Sequence, residues 1–323
     1  MNWIKGKSIN PTELLVFIGR YGTIICLLAL IIGFSILLPP FRSVPNLLNL
    51  LGQTAILSVF AAGMTCCLKM GDFDLSIGAN AAITGIVVAK VLVNDGGIPL
   101  AIFCGLLTGV LIGLMNGILV AYVGLPAFVC TLAIMSVVLG LGMAITKGIS
   151  IWDLPVSFDF IGRGDLLGIP NRFIIMILLL IVLWFIHNYT PTGRRMEAIG
   201  GNATAARLSG IRVEWNRLLG YLLAGICSAI AGLILTSSAM SASTMQGPFY
   251  LLDAFGASFI GAATVRIGQF HVWGTFVGVL IVVVAVNGLV IFMVPGYLTD
   301  MIKGIILLLA IVLSGAIGKF VRS

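Results

Sequence analysis

The chain has 323 residues, 60% of them hydrophobic and only 9% charged, and 18 Lys and Arg against 11 Asp and Glu give a net charge of +7. A mean hydropathy of +1.18 excludes a soluble globular domain, where roughly a quarter of the residues are charged. The basic residues are sparse and sorted by topology, as set out below, which argues against nucleic acid as the partner.

Met1–Arg20 carries Lys5, Lys7, Glu13 and Arg20, and no N-terminal stretch reads as a cleaved signal. A spanning helix needs about 20 apolar residues. Ten segments reach or approach that length: 21–39, 47–68, 77–93, 98–120, 125–146, 172–189, 217–237, 251–265, 271–292 and 297–316. The expected fold is therefore an all-α integral membrane protein of about ten helices, one transmembrane domain over residues 1–323. The third and eighth segments are short and rich in Gly and Ala, which suits broken or re-entrant helices.

Orientation follows from Lys and Arg, which favour the cytoplasmic side. With the N-terminus inside, Lys5, Lys7, Arg20, Lys69, Arg194, Arg195, Arg207, Arg212, Arg217, Arg266, Lys319 and Arg322 fall inside; Arg42, Lys147, Arg163 and Arg172 fall outside. Lys90 and Lys303 sit within spans. Both termini and the basic loop at about 190–216 are thus expected in the cytoplasm.

Residues 147–171 form the longest outer segment and mix Asp153, Asp159, Asp165 and Arg163 with Trp152 and Phe158. Three readings stay open: an ordered loop, a docking surface, or a plain loop with interfacial aromatic anchors. Within the spans, Ala101, Gly105, Gly109, Gly113, Gly117 and Ala121 recur every fourth position, as do Gly220, Ala224, Ser228 and Gly232. Such stripes let helix backbones approach closely and place both helices inside the bundle. "GLLTGVLIGLMNG" (105–117) also echoes "GTFVGVLIVVVAVNG" (274–288), as two halves in an inverted repeat would.

Little in the sequence points to chemistry. Cys26, Cys66, Cys67, Cys104, Cys130 and Cys227 lie in apolar segments and read as small hydrophobes. No metal cluster, nucleophile set or ATP-binding motif is legible, so neither cofactor nor metal is expected in this chain. Asp72 and Asp74 are expected at an interface, with Lys69 pairing one of them, and Asp300 and Lys303 as a local pair. Asn80, Asn116 and Asn287 lie in spans, where their amides hydrogen-bond either a polar solute or, more commonly, neighbouring helices.

The basic loop contains "AIGGNATAARLSGI" (198–211). Asn202 suits an N-cap, Ala203, Thr204, Ala205, Ala206, Arg207, Leu208 and Ser209 suit a short helix, and Gly210 suits its C-terminal end. With Leu208 its only large apolar residue, the helix is poorly suited to lying on lipid and better suited to a groove on a partner.

That stretch resembles the cytoplasmic loop of ABC-importer permeases for ribose and related monosaccharides, with its G-x-N-x-x-A-A-R-x-S-G-I pattern. "GMTCCLKMGDFDLSIGA" (63–79) resembles a second hallmark, with Gly63, Met64, Thr65, Gly71, Asp74, Leu75, Ser76 and Gly78 in place. "LLDAFGASFIGAATVRIGQFHVWGTFVGVLI" (251–281) is similar to the last conserved block at Leu252, Asp253, Ala254, Gly261, Thr264, Gly268, Gly274 and Thr275. The chain departs from the pattern at Asp72-Phe73, Ala262, Gln269 and Phe270-His271, and those departures bear on the solute. The resemblance implies a vitamin-B12-importer-like (type II-like) permease fold in the bacterial inner membrane. It implies a second permease copy, cytoplasmic ABC ATPase subunits that hold ATP and magnesium, and an extracytoplasmic sugar-binding protein. Residues 202–210 would be the coupling helix, with Ala205 and Ala206 in a groove of the ATPase and Arg207 pairing an acid there or bracing its own loop. Permeases of the same superfamily for furanosyl signalling molecules, nucleosides or branched-chain amino acids, and an ion-coupled carrier, are the competing readings.

Overall fold

A computed structural model describes residues 11–264, 268–305 and 308. The helices are α1 (Pro11–Leu37), α2 (Val44–Leu68), α3 (Ile77–Val93), α4 (Ile98–Gly117, continued by a π-helical turn Ile118–Tyr122) and α5 (Ala127–Thr146). After them come α6 (Asn171–Tyr189), α7 (Pro191–Gly201), α8 (Ala203–Leu208), α9 (Val213–Ala239), α10 (Tyr250–Ala262) and α11 (Val272–Ile291). The expected tenth span lies only partly within the described residues, where 296–305 are helical. Among the described residues six helices (α2, α4 with its π turn, α5, α6, α9 and α11) are long and apolar enough to cross a membrane, while α3, α10 and the Tyr21–Leu37 part of α1 are shorter apolar helices.

Local sequence explains the helix starts. Ser43 caps α2, its hydroxyl accepting from the Asn46 N–H at 3.4 Å, and a proline fills the first turn, where its missing N–H costs nothing. His271 caps α11, its ring Nδ1 accepting from the Gly274 N–H at 2.9 Å.

α9 is the centre of the bundle, packed against α2, α3 and α4. Lipid tails are as apolar as leucine, so helices here associate through close contact and hydrogen bonds rather than by escaping water. The α4 stripe supplies that contact. A Cβ on Gly109 would lie 2.5 Å from the Ala229 Cβ, and one on Gly113 would lie 2.5 Å from the Tyr221 carbonyl oxygen. The two small-residue stripes do not face one another, however. Gly220 of α9 meets Met70, and Gly232 meets the Ala81 carbonyl of α3, while Gly225 meets α4. Small residues thus line two faces of α9, which therefore packs closely on both sides.

The packing has a reciprocal pattern. α3 packs on α4 as α10 packs on α11, and α9 contacts α3 and α4 as α2 contacts α10 and α11. The Thr65 and Thr275 hydroxyls bond at 2.7 Å across α2 and α11. The amides of Asn46 and Asn287 exchange hydrogen bonds of 3.1 and 2.9 Å between the same helices.

Residues 147–171 are ordered. They contain a 3-10 turn at Val156–Phe160 and a hairpin of β1 (Asp165–Leu166) with β2 (Ile169–Pro170), paired antiparallel. The segment is fastened to the end of α9: the Ser237 hydroxyl donates to the Phe158 carbonyl at 2.6 Å and accepts from the Gly162 N–H at 2.8 Å. Arg163 donates to the Ser238 carbonyl at 2.8 Å. The six cysteines are free, and four of them, Cys66, Cys67, Cys130 and Cys227, are buried. Among the described residues no cluster of His, Cys, Asp and Glu is arranged for a metal.

Candidate functional site

The turn between α2 and α3 is a densely bonded polar stretch. Gly71 takes a left-handed φ of 80°, which reverses the chain after α2 and turns the following residues into the bundle. Asp74 is buried, and its Oδ1 accepts from the Ser76 N–H at 2.9 Å and from the Ser76 hydroxyl at 2.7 Å. The Ser76 oxygen accepts in turn from the Asn116 amide of α4 at 2.7 Å. The Leu75 N–H donates to Thr131 of α5 at 3.1 Å, and the Tyr221 hydroxyl of α9 donates to the Phe73 carbonyl at 3.1 Å. The turn that joins α2 to α3 is thereby tied to α4, α5 and α9 as well. Gly78 lies against the Gly247 carbonyl, where a Cβ would come within 2.8 Å.

The charges around this turn pair differently from the sequence expectation. Lys69 reaches Glu197 of α7 at 3.3 Å, and Asp72 reaches Arg217 of α9 at 3.2 Å, so neither carboxylate of the turn binds Lys69. Nor are Asp72 and Asp74 interfacial in the sense of being exposed, for both are buried within the bundle end. Chain proximity suggests Lys69–Asp pairing, but the tertiary fold brings closer partners from α7 and α9. Lys303 likewise lies 3.8 Å from Asp300 as expected, but its shorter contact is 3.0 Å to Asp253 of α10.

Helices α7 and α8 form a platform on this end of the bundle. Asn202 caps α8, its side chain accepting from the Ala205 N–H at 2.9 Å, and Gly210 closes the helix with a φ of 82°. The platform has its own small core of Met70, Met196, Ile199, Ala206 and Val213. Ala206 therefore points inward at 5% exposure, which corrects the expectation that it faces a partner. Its place on the helix explains why: it clusters with Met196 and Ile199 of α7 and Val213 of α9. The outward face carries Thr204, Ala205, Arg207 and Leu208, with Ala203 half-buried beside the core. Leu208 is 85% exposed. Arg207 pairs with Glu214 at the start of α9 and so braces its own loop.

The platform meets the bundle through the motif turn. Met70 sits in the platform core, Lys69 holds Glu197, and Gly200 lies directly against the Lys69 carbonyl. Sequence reasoning missed α7 as a helix. Its signal is the spacing of Gly193, Met196 and Ile199, three residues apart on one face and all buried.

The span asparagines all bond across helices. Asn80 donates to the Gly109 carbonyl at 3.3 Å, Asn116 to Ser76, and Asn287 to Asn46. All three are buried, and the Oδ1 atoms of Asn80 and Asn116 have no hydrogen-bond partner among the described residues.

Asp74→Ala removes an acceptor on which two donors of Ser76 depend. The expected loss is about 2 kcal/mol of stability, the cost of leaving buried donors unpaired. It is read as a lower unfolding temperature of the detergent-solubilised protein, with Asp74→Asn showing a smaller shift.

Residues 46–311 match the family described as the permease component of the branched-chain amino acid transport system. The chain is 40% identical to the ribose import permease protein of Bacillus subtilis over 91% of this chain and 92% of that one. The chain belongs to this permease family. The permease is also 34% identical to the ribose import permease protein of Escherichia coli K12, over 90% of this chain and 91% of that one. It is 33% identical to the galactofuranose transporter permease protein of the same organism, over 82% and 78%. No solved structure matches the permease. It is a multi-pass membrane protein and a transport component rather than an enzyme, and its bonded turn and platform stand at one end of the membrane-spanning bundle.

Proposed function

We propose that this permease is the membrane-spanning subunit of an ATP-binding-cassette importer for a monosaccharide, with ribose or a close relative as the solute. The carrying observation is the end-to-end likeness to permeases named for ribose import, at 34–40% identity over nine-tenths of both chains. The vitamin-B12-importer-like fold and the inverted repeat belong to this reading, supported by the reciprocal packing of α2, α3 and α4 with α9, α10 and α11. In the same reading α8 is the coupling helix. Cytoplasmic ATPase subunits carrying ATP and magnesium close on it, the turn at 69–76 passes the displacement to the bundle, and a second permease copy completes the solute path. A soluble sugar-binding protein delivers solute from the other side. Asn80, Asn116 and Asn287 are candidates for that path, since Asn80 and Asn116 each keep an acceptor without a partner among the described residues.

The test is uptake by the reconstituted complex of permease, ATPase and binding protein, offered labelled ribose, allose, galactofuranose and leucine. ATP-dependent uptake of a sugar supports the reading. Uptake of leucine alone, or uptake that follows an ion gradient without ATP, overturns it.

Topology has its own check. Thr204 is exposed on α8, so Thr204→Cys in a background lacking Cys26, the exposed native thiol, reports the side on which the platform lies. The twelve-to-four Lys and Arg distribution predicts labelling by an impermeant maleimide only after the cells are permeabilised. Labelling of intact cells reverses the orientation.

A further inference from the structure

At the platform end, where α6 leaves the bundle, a cavity of about 390 Å³ is lined by Trp184, His187, Asn188, Tyr189, Arg194 and Glu197. A second cavity of about 240 Å³ shares Trp184 and Asn188 and continues along the start of α11 past Val272, Trp273 and Val277. The first is polar and the second mostly apolar, and they adjoin at the end of a spanning helix. Trp184 and Tyr189 meet edge to face, 5.1 Å between ring centroids. Aromatic rings at a span end mark the level where hydrocarbon gives way to headgroups.

The charges of the polar cavity do not cancel. Glu197 is engaged by Lys69 at 3.3 Å. Arg194, an exposed residue of the cavity wall, makes no ion pair among the described residues. His187 is 2% exposed, and neither of its ring nitrogens has a hydrogen-bond partner among the described residues. A buried imidazole without partners is unfavourable, and its wall is shared with this cavity.

We propose that the two cavities hold the head and one acyl chain of an anionic phospholipid, its phosphate on Arg194 and beside Asn188, that acyl chain along Trp273 and Val277. A guanidinium fork matches two phosphate oxygens. The shared boundary at Trp184 fits a molecule that is charged at one end and apolar at the other, which a free solute is not. Basic pockets between spanning helices on the cytoplasmic side recognise headgroups in this manner. The site is independent of the transported solute.

The experiment is native mass spectrometry of the full-length protein in neutral detergent, equilibrated with equal amounts of phosphatidylglycerol and phosphatidylcholine. The wild type is expected to retain one phosphatidylglycerol per chain in preference to phosphatidylcholine. Arg194→Gln is expected to weaken retention about tenfold, the loss of a charge-assisted phosphate contact. Arg195→Gln removes the same charge one residue away, outside the cavity lining, and should leave retention unchanged. Asn188→Leu, which keeps the charge but removes the amide beside it, should weaken retention too and serves if Arg194→Gln aggregates. Equal retention of the two lipids, equal effects of the two arginine variants, or unchanged retention in both Arg194→Gln and Asn188→Leu overturns the site. Displacement of the lipid by millimolar inorganic phosphate also overturns it, since the site would then be for the free anion.

Discussion

Gly113→Leu should abolish recovery of folded protein from the membrane. A Cβ at that position would stand 2.5 Å from the Tyr221 carbonyl oxygen and 3.1 Å from the Gly225 Cα, both backbone atoms of the central helix α9. Backbone cannot step aside as a flexible side chain does, so α4 and α9 must separate. Separation removes a backbone-to-backbone contact at the centre of the bundle, and with it the hold of α4 on the motif turn through Asn116 and Ser76. Overpacking typically costs about 1–3 kcal/mol, and a branched side chain against backbone belongs at or above the upper end. Gly140→Leu is the matched control: Gly140 lies on α5, and a Cβ added there would meet nothing within 4 Å. Gel filtration of a fluorescent fusion should show a monodisperse peak for Gly140→Leu and aggregate or no peak for Gly113→Leu. Equal peaks would mean that α4 and α9 do not pack in the membrane as described.

The apolar helices are legible in the sequence because hydrophobicity and length act locally: α3 falls on 77–93 and α6 within a residue of 172–189. The cap of α8 is legible for the same reason, since Asn202 and its bond partner Ala205 are three residues apart. What stays hidden depends on which distant surfaces meet. Nothing in the order of residues tells Lys69 to prefer Glu197, 128 positions away, over the two aspartates that follow it. The direction of Ala206 is hidden likewise, because a short helix with alanines on several faces has no apolar period, and the core that claims one face comes from α7, α9 and Met70. Spacing by fours reveals that α9 is closely packed, but not that Gly220 and Gly225 serve different neighbours.

These positions make the bundle end a chain of packed and hydrogen-bonded contacts. Leu208 and Ala205 stand outermost, Ala206 and Met196 lie beneath them, Met70 joins that layer to the turn, and Asp74, Ser76 and Asn116 carry the turn into α4. Each link is packed or hydrogen-bonded, and rigid links transmit displacement where a floppy loop would absorb it.

Changes at neighbouring residues of α8 should therefore fail in opposite ways. Ala206→Trp places an indole where Met70, Met196, Ile199 and Val213 already touch, so the platform itself should break, with lower yield and a lower unfolding temperature of the permease alone. Leu208→Asp changes a side chain that is 85% exposed, so yield and unfolding temperature should match the wild type. If α8 docks into the ATPase, Leu208 is the one large apolar side chain it offers, and a buried anchor of that kind is worth about 2 kcal/mol or more. Replacing it with a charge should cut ATPase co-purification and solute uptake by roughly tenfold to a hundredfold. In Leu208→Asp the pairing of Arg207 with Glu214 still braces the loop. A Leu208→Asp permease that binds the ATPase and transports normally would remove α8 from the docking surface, whereas an Ala206→Trp permease as stable as the wild type would mean that the alanine does not lie in the platform core.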